Sequence, residues 1–151
     1  MTSIYRLVRR ERAADALSGE GARRYGGRWS PPGAAVVYAA ESRALAVLET
    51  FVHLTLEARA LHFVLLTLVL PGRAKLDRHP AARPPRSLAT SQEAGRAWLD
   101  AAAALALVVP SVLVPQEKNY VLNVGHPQFE QVRVGDAEPF SFDERLWHTQ
   151  L

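Results

Sequence analysis

The fold is decided by residues 26–54, which read GGRWSPPGAAVVYAAESRALAVLETFVHL. A loop rich in glycine and proline comes first. The β-branched and aromatic residues of Ala35–Ala39 then favour a strand. In Glu41–Leu54 the apolar residues recur at three- and four-residue spacing, which predicts an amphipathic helix, and Ser42 is a suitable N-cap. A loop, a strand and a helix therefore follow one another directly at this point of the chain.

The elements on either side of this stretch alternate irregularly. Upstream we expect a strand at Ile4–Val8, a short helical turn at Asp15–Leu17 and mostly loop at Ser18–Gly33. The downstream prediction comprises strands at Ala60–Val69, Ala106–Val114, Tyr120–Asn123 and Gln128–Val134, a proline- and arginine-rich loop at Pro71–Ser91, a helix at Gln92–Leu105 and a terminal helical turn or strand end at Ser141–Trp147. Because strands and helices do not repeat as strict βαβ units, this order favours the α+β class.

Composition limits the possible classes of protein. The chain has 151 residues, of which 48% are hydrophobic and 22% are charged, and these values predict one globular domain spanning residues 1–151. Because cysteine is absent, a disulfide scaffold, a thiolate zinc site and a cysteine nucleophile are excluded. The histidines lack ligand spacing, so we expect no metal.

Charge and hydropathy indicate where the protein works. The net charge of +3 suits an anionic partner, which is a nucleic acid, a phosphorylated small molecule or an acidic protein, although it also suits a merely solubilising surface. The apolar stretches Leu61–Leu70 and Ala101–Val109 are shorter than the roughly 20 residues of a membrane helix. We therefore expect a cytoplasmic protein with no membrane contact.

The glycine-rich turn before the first central strand holds several candidate ligand-binding residues. Gly27 allows close approach of the backbone to a ligand, and Arg28 can grip a phosphate in bidentate fashion. Trp29 and the nearby Tyr25 can stack on a heteroaromatic ring. A tight turn anchored by the tryptophan explains the same residues without any ligand. The stretch is not a GxGxxG fingerprint, and the chain has no Walker sequence.

Two further candidates lie in the predicted strand and helix that follow. Tyr38 is either an active-site aromatic or a core residue with a satisfied hydroxyl. Glu49 borders the apolar stripe of its helix, where a carboxylate is costly unless it is paired or functional. It is either a boundary glutamate that pairs with an arginine or a carboxylate aimed into a cleft. In the second case it could stabilise the oxocarbenium-like state of glycosidic cleavage.

Polar residues also follow a buried-looking strand late in the chain. Ser111 stands between Pro110 and Val112, and Asn119, Asn123 and His126 come after it. Buried serine and asparagine side chains need hydrogen-bond partners, so these residues either form a site or make turns at a strand end. Ser111 is a poor nucleophile candidate, because no G-x-S-x-G elbow surrounds it.

Together these motifs resemble the RES domain family over residues 5–129. The motifs that carry the resemblance are, in order, Tyr5-Arg6, Gly26-Gly27-Arg28-Trp29-Ser30, Val37-Tyr38-Ala39, Glu49, Val109-Pro110-Ser111, Asn119 and His126-Pro127. The chain departs from the family at Ser30, where asparagine is common, and at Val124-Gly125, which interrupts a common Asn-Pro-His.

The resemblance implies a fold, an activity and partners. The fold would be similar to ADP-ribosyltransferase toxins, with a mixed or antiparallel central sheet and flanking helices. The chain would be the toxin of a toxin–antitoxin pair that degrades NAD at its nicotinamide–ribose bond and arrests growth, with NAD as substrate and no cofactor. An Xre-type helix-turn-helix antitoxin would cover the active site, so that DNA is contacted only through the antitoxin.

The resemblance also assigns roles to individual residues. The catalytic residues would be Arg28, Tyr38, Glu49 and Ser111, and the further NAD-binding residues would be Arg6, Tyr25, Gly27, Trp29 and Asn119. In this hypothesis Arg28 holds the phosphates or ribose and Tyr38 stacks on nicotinamide. Glu49 orients the ribose 2′-hydroxyl and stabilises the charge that develops at C1′, while Ser111 donates or accepts a hydrogen bond with the substrate.

The identity of the acceptor stays open at this level. Water, phosphate and a protein side chain are all compatible with the sequence, and the last would make the chain a mono-ADP-ribosyltransferase. A basic nucleic-acid-binding toxin and an inactive RES domain are further alternatives, although no RNP, KH or helix-turn-helix signature supports nucleic-acid binding.

Overall fold

A computed structural model describes residues 1–148 of the chain. The central element of the fold is a seven-stranded sheet. The strands are β1 (Ser3–Arg9), β2 (Val36–Ala40), β3 (Phe63–Val69), β4 (Leu76–Arg78), β5 (Ala106–Pro110), β6 (Lys118–Asn123) and β7 (Arg133–Phe140). Their order is β4-β5-β6-β2-β1-β3-β7. Neighbouring strands are antiparallel except for β4 and β5, which form a parallel pair. The predicted α+β class with a mixed sheet is therefore confirmed.

The helices are short and lie between the strands along the chain. They are α1 (Glu20–Tyr25), α2 (Arg43–Phe51) and α3 (Leu88–Ala101), with single 3-10 turns at Arg10–Asp15, Glu57–Ala60, Pro127–Gln131 and Glu144–Leu146. The predicted cap of α2 is confirmed, because Ser42 Oγ accepts a hydrogen bond from Leu45 N at 3.1 Å. Within residues 1–148 no helix has both the length and the apolarity that a membrane crossing requires.

The two faces of the sheet are buried by different parts of the chain. Ile4, Val37 and Leu122 belong to the core on one face, which the segment around Ala16 covers. On the other face, α2 buries Leu45 and Ala46 beside Leu7, Ala40 and Phe63. Trp98 of α3 packs on the same face against Val36, Val109 and Val121, the last two from β5 and β6. The central strand β2 therefore passes from the α3 cluster to the α2 cluster.

The hydrogen-bond ladder between the neighbouring strands β1 and β2 is short. These strands pair at Tyr5 and Ala40, whereas β1 and β3 pair continuously from Ser3–Val69 to Arg9–Phe63. Arg6 Nη1 donates to the Tyr38 carbonyl oxygen at 2.7 Å and so satisfies an acceptor that β1 leaves free. The arginine thus joins the two strands where their hydrogen-bond ladder stops.

Several predicted boundaries are wrong, and local capping explains the helical ones. The predicted loop 18–33 contains α1, in which Arg23 donates twice to the carboxylate of Glu20, at 2.9 and 2.8 Å. Helix α3 begins four residues before the predicted Gln92, inside the predicted loop, because Ser87 caps it by accepting from Thr90 N. It ends early at Ala102, whose φ of 50° is left-handed.

Other differences concern the strands. Residues 127–131 form a 3-10 turn instead of a strand, because Nδ1 of His126 accepts from Gln128 N at 3.0 Å and caps that turn. The strand there is β7, an exposed edge strand whose residues show no buried alternation that a sequence pattern could reveal. The predicted loop 71–91 also holds β4, and β3 begins at Phe63 because a 3-10 turn precedes it.

Candidate active site

The chemical centre of the candidate site is a glutamate held by a serine. Ser111 Oγ donates a hydrogen bond to Glu49 Oε1 at 2.7 Å. Glu49 is half-buried on α2, and Ser111 is fully buried directly after β5, where Pro110 ends the strand. The two predicted residues are 62 positions apart in sequence and are brought together because the loop after β5 packs, through Val114, into the same cluster as α2.

The hydroxyl of Ser111 has no capacity left for a substrate. A serine hydroxyl offers one donor and two acceptor positions. The donor is used on Glu49, and the oxygen accepts from Leu113 N and Val114 N, each at 3.1 Å. In this geometry the hydroxyl positions the Glu49 carboxylate, and the predicted hydrogen bond between Ser111 and the substrate stays a prediction that these contacts do not support.

The loop that carries Ser111 is also fastened to the start of α2. Ser42 Oγ donates to Glu117 Oε1 at 2.8 Å, and Lys118 N donates to Glu41 Oε1 at 2.8 Å. Within the loop, Ser111 N donates to the Glu117 carbonyl oxygen at 3.0 Å. These bonds fasten the loop to the start of α2 and hence fix the place of Glu49 relative to Ser111.

Tyr38 supports the glycine-rich turn from the sheet. Its hydroxyl accepts a hydrogen bond from Trp29 N at 3.0 Å and shares a second one with Ser30 Oγ at 2.7 Å. Burial raises the pKa of Tyr38 above its ordinary value of 10, although the hydrogen bonds from Ser30 and Trp29 act in the opposite direction. The phenol is therefore protonated at neutral pH. Stacking of its ring on nicotinamide stays a prediction.

The glycines at this turn are required by contacts within the protein. A Cβ on Gly27 would lie 2.6 Å from the Tyr38 hydroxyl oxygen, and a Cβ on Gly95 of α3 would lie 1.5 Å from the Trp29 carbonyl oxygen. The turn is thus enclosed between Tyr38 and α3. The group that approaches Gly27 in this structure is the Tyr38 side chain, and close approach of a ligand to Gly27 stays a prediction.

Helix α3 holds the turn by three side-chain hydrogen bonds. Ser91 Oγ donates to the Arg28 carbonyl oxygen at 2.7 Å. Gln92 Nε2 donates to the carbonyl oxygens of Gly27 at 3.0 Å and Ser30 at 3.3 Å. The backbone on which Arg28 stands is therefore fixed from both the sheet and the helix.

The Arg28 side chain enters an open cleft of about 510 Å³, a volume within the range of small-molecule sites, which is roughly 300–1,000 Å³. Its Nη2 donates to the Pro85 carbonyl oxygen. The cleft is lined by Arg28, Arg83, Pro84, Pro85, Arg86, Val112 and Pro115. Since Val112 follows Ser111 directly, one wall of the cleft belongs to the loop that holds Glu49.

Of the predicted site residues, Arg28 lines this cleft, whereas Glu49, Tyr38, Ser111 and the remaining predicted ligand residues lie outside its lining. Trp29 is only 2% exposed and packs with Val36 and Trp98, so its predicted stacking on a substrate has no support in this structure. Tyr25 is 81% exposed at the end of α1. Arg6 donates a hydrogen bond to the Tyr38 carbonyl oxygen, and burial lowers the pKa of Arg6 below the ordinary 12.5. Asn119 pairs in the sheet between Ala40 and Val109.

Sequence reasoning missed the residues that complete the cleft. Arg83 and Arg86 were visible only as charges in a predicted loop, and no pattern in that loop indicates where they point. Glu117 gave no signal at all, because its partner Ser42 is 75 residues away in sequence.

Among residues 1–148 there is no group of three or more His, Cys, Asp or Glu side chains arranged to hold a metal ion.

The fold and this site place the chain in a known family. The RES domain model matches residues 3–143, and the chain therefore belongs to the RES domain family.

Relatives of the chain carry toxin names. "Toxin Res" of Yersinia enterocolitica is 37% identical over 150 residues, which cover 95% of this chain and 98% of the relative. The "Prs ADP-ribosylating toxin" of a Sphingobium species is 35% identical, over 96% of both chains. A chain of the crystal structure of the M. tuberculosis MbcT–MbcA toxin–antitoxin complex has the same fold, with a TM-score of 0.72 and 23% identity, over 93% of this chain and 84% of that one.

Proposed function

We propose that this chain is the toxin of a toxin–antitoxin pair and that it cleaves the nicotinamide–ribose bond of NAD. Membership in the RES family and the toxin names of its relatives support the biological role. The observation that carries the chemistry is the Glu49 carboxylate, which is held by Ser111, the residue directly before Val112 in the wall of an arginine-lined cleft.

Cleavage of this bond makes modest chemical demands. Nicotinamide leaves NAD as a neutral molecule from a cationic precursor, so no general acid is needed. The remaining requirement is a fixed negative charge near C1′, where oxocarbenium character develops. Ser111 occupies Oε1 of Glu49, and among the described residues Oε2 has no hydrogen-bond partner. That oxygen is available to orient the ribose 2′-hydroxyl.

The neighbouring residues would bind and orient the rest of the substrate. Arg28, whose backbone is fixed by Tyr38 and α3, supplies a guanidinium for the phosphates. Tyr38 stacks on nicotinamide in this proposal, while its hydroxyl keeps the turn in place. NAD is the substrate and no further cofactor takes part. The contributions of Arg6, Tyr25 and Asn119 to NAD binding require movement or a contact beyond the cleft described above.

The partners and location follow from the proposed role. A growth-arresting enzyme of the NAD pool acts in the cytoplasm and must be restrained until it is needed. We propose that an Xre-type helix-turn-helix antitoxin covers the cleft and that DNA is contacted only through this antitoxin. No membrane partner takes part in this proposal.

The acceptor of the ADP-ribosyl group is water or phosphate in the first candidate and a protein in the second. The second candidate is favoured by one observation, the name of the Sphingobium relative as an ADP-ribosylating toxin that acts on Prs. Because both reactions break the same bond, Glu49 has the same role in each. Radiolabelled NAD incubated with cell extract distinguishes them, since transfer leaves the label on a protein band.

The direct test uses purified protein and NAD, with and without phosphate, and follows nicotinamide release by chromatography. We expect release by the wild type and loss of at least about two orders of magnitude in Glu49→Gln, which removes the charge but keeps the shape. Glu93→Gln, an exposed glutamate of α3, is the matched control and should leave turnover unchanged. If the wild type releases no nicotinamide with water, phosphate or extract as acceptor, the proposal is wrong. Nucleic-acid binding with a steep salt dependence would then become the leading alternative.

A further inference from the structure

We propose that Arg83 and Arg86, which line the same cleft as Arg28, bind a phosphate oxyanion there. The proposal deepens the proposed function and rests on it, because the phosphate belongs either to the diphosphate of the dinucleotide or to a free phosphate that accepts the ribosyl group. It assigns a substrate-binding role to the loop between β4 and α3, which has none in the mechanism described so far.

The charge of the cleft carries the first step of the argument. Three of the residues that line it are arginines, and none is acidic. In the part of the chain that the structure describes, the ion pairs involve Arg12, Arg23, Arg24 and Arg145, so no carboxylate neutralises Arg28, Arg83 or Arg86. Guanidinium groups gathered around one cavity repel one another, and an anion between them removes that repulsion.

The structure of the loop carries the second step. Pro84 and Pro85 separate the two arginines, and proline fixes φ, so the backbone between Arg83 and Arg86 is stiff. The loop is tied at one end by His79 N, which donates to the Val108 carbonyl oxygen at 2.9 Å, and at the other by the Ser87 cap of α3. Both arginine side chains are exposed, and a stiff, tethered backbone beneath them loses less conformational entropy on binding than a free loop.

Arg28 supplies the third step. Its Nη2 donates to the Pro85 carbonyl oxygen, which lies between the two loop arginines in sequence. Its Nε is buried, and within residues 1–148 it has no hydrogen-bond partner. A buried donor without an acceptor is costly and uncommon in folded proteins. A phosphate oxygen in the cleft would supply an acceptor for this guanidinium while the loop arginines bind its remaining oxygens.

The position of the cleft fits either source of phosphate. Val112 and Pro115 also line it, on the loop whose Ser111 holds Glu49. A diphosphate of the dinucleotide or a free phosphate bound at the arginines would therefore lie next to this loop. The shared chemistry is a phosphate oxyanion held by guanidinium groups.

The test compares the wild type with R83Q/R86Q and with a control that removes two exposed arginines elsewhere, R73Q/R96Q. Both variants lose the same charge, so general electrostatic steering changes equally. We measure the KM for NAD, the phosphate concentration that gives half-maximal stimulation, and the calorimetric affinity for ADP at low salt. Urea unfolding verifies that both variants are folded.

Two results support the proposal and identify the phosphate. If the arginines bind the diphosphate, R83Q/R86Q raises the KM for NAD and weakens ADP binding by about tenfold or more, with kcat preserved. If they bind free phosphate, the half-maximal phosphate concentration rises instead and the KM for NAD is unchanged. The proposal is overturned if R83Q/R86Q changes neither quantity, or if R73Q/R96Q changes them as much.

The calorimetry separates this inference from the proposed function. If the wild type cleaves no NAD but binds ADP or inorganic phosphate, and R83Q/R86Q does not, the anion site stands while the NAD-cleaving role fails. If the wild type cleaves NAD and the loop variant matches it in every measurement, the function stands and the anion site fails.

Discussion

Replacing Ser111 with alanine separates two roles that a serine in an active site can have. The structure assigns all three hydrogen-bonding positions of its hydroxyl to protein groups, with the donor on Glu49 and the acceptors on Leu113 N and Val114 N. The substitution therefore removes no contact with the substrate. It releases the Glu49 carboxylate and leaves two backbone N–H groups without their acceptor.

The size of the effect follows from these three bonds. A hydrogen bond between neutral groups contributes about 0.5–1.5 kcal/mol and one to a charged group about 1.5–3 kcal/mol. Since Leu113 is exposed, water can replace part of the hydrogen bonding that its backbone N–H loses. We therefore expect Ser111→Ala to lower the free energy of unfolding by about 2–3 kcal/mol. Misplacement of a reacting group by about 1 Å costs on the order of a hundredfold in rate, so kcat should fall by about that factor while KM changes little.

The assay is nicotinamide release under saturating and limiting NAD, combined with urea unfolding to measure stability. The sharp control is the double variant with Glu49→Gln. If Ser111 acts only through Glu49, the double variant is no slower than Glu49→Gln alone, because the partner of Ser111 has already lost its function. A Ser111→Ala enzyme with unchanged kcat and raised KM, or additive losses in the double variant, would refute the positioning role.

Two further predictions concern the enclosed turn. Gly95→Ala should destabilise the protein by about 3 kcal/mol or more in urea unfolding, because its Cβ would lie 1.5 Å from the Trp29 carbonyl oxygen. Gly21→Ala is the control, because its Cβ would have no neighbouring atom within 4 Å, and it should be neutral or slightly stabilising. Equal effects of the two substitutions would contradict the close packing of Gly95. Tyr38→Phe should cost about 1–3 kcal/mol, because Trp29 N loses its acceptor. Since burial raises the pKa of Tyr38, its phenol stabilises the fold below the ordinary value of 10 and ceases to do so as the pH rises through the higher folded-state pKa. Unfolding titrations should therefore show wild-type stability falling above about pH 10 by more than that of the Phe variant, and parallel curves would count against this account.

Some features of this protein are determined by the sequence alone. The strand within Ala35–Ala39 follows from local β-propensity, and the helix after it follows from the periodicity of its apolar residues. The Ser42 cap depends only on the three residues that come after it. The α+β class follows from the irregular order of such elements. The family motifs also gave Arg28, Tyr38 and Glu49 as candidate site residues, because their order and spacing can be read from the sequence.

The tertiary structure decided how these residues act. Glu49 meets Ser111 across 62 residues only because the loop after β5 packs, through Val114, into the same cluster as α2. Tyr38 and α3 enclose the turn, which makes Trp29 a core residue and explains Gly27. The path of the loop after β4 places Arg83 and Arg86 in the same cleft as Arg28. Each of these outcomes depends on contacts between distant segments, which local preferences do not encode, because a side chain's burial and partners are set by whatever part of the chain packs against it.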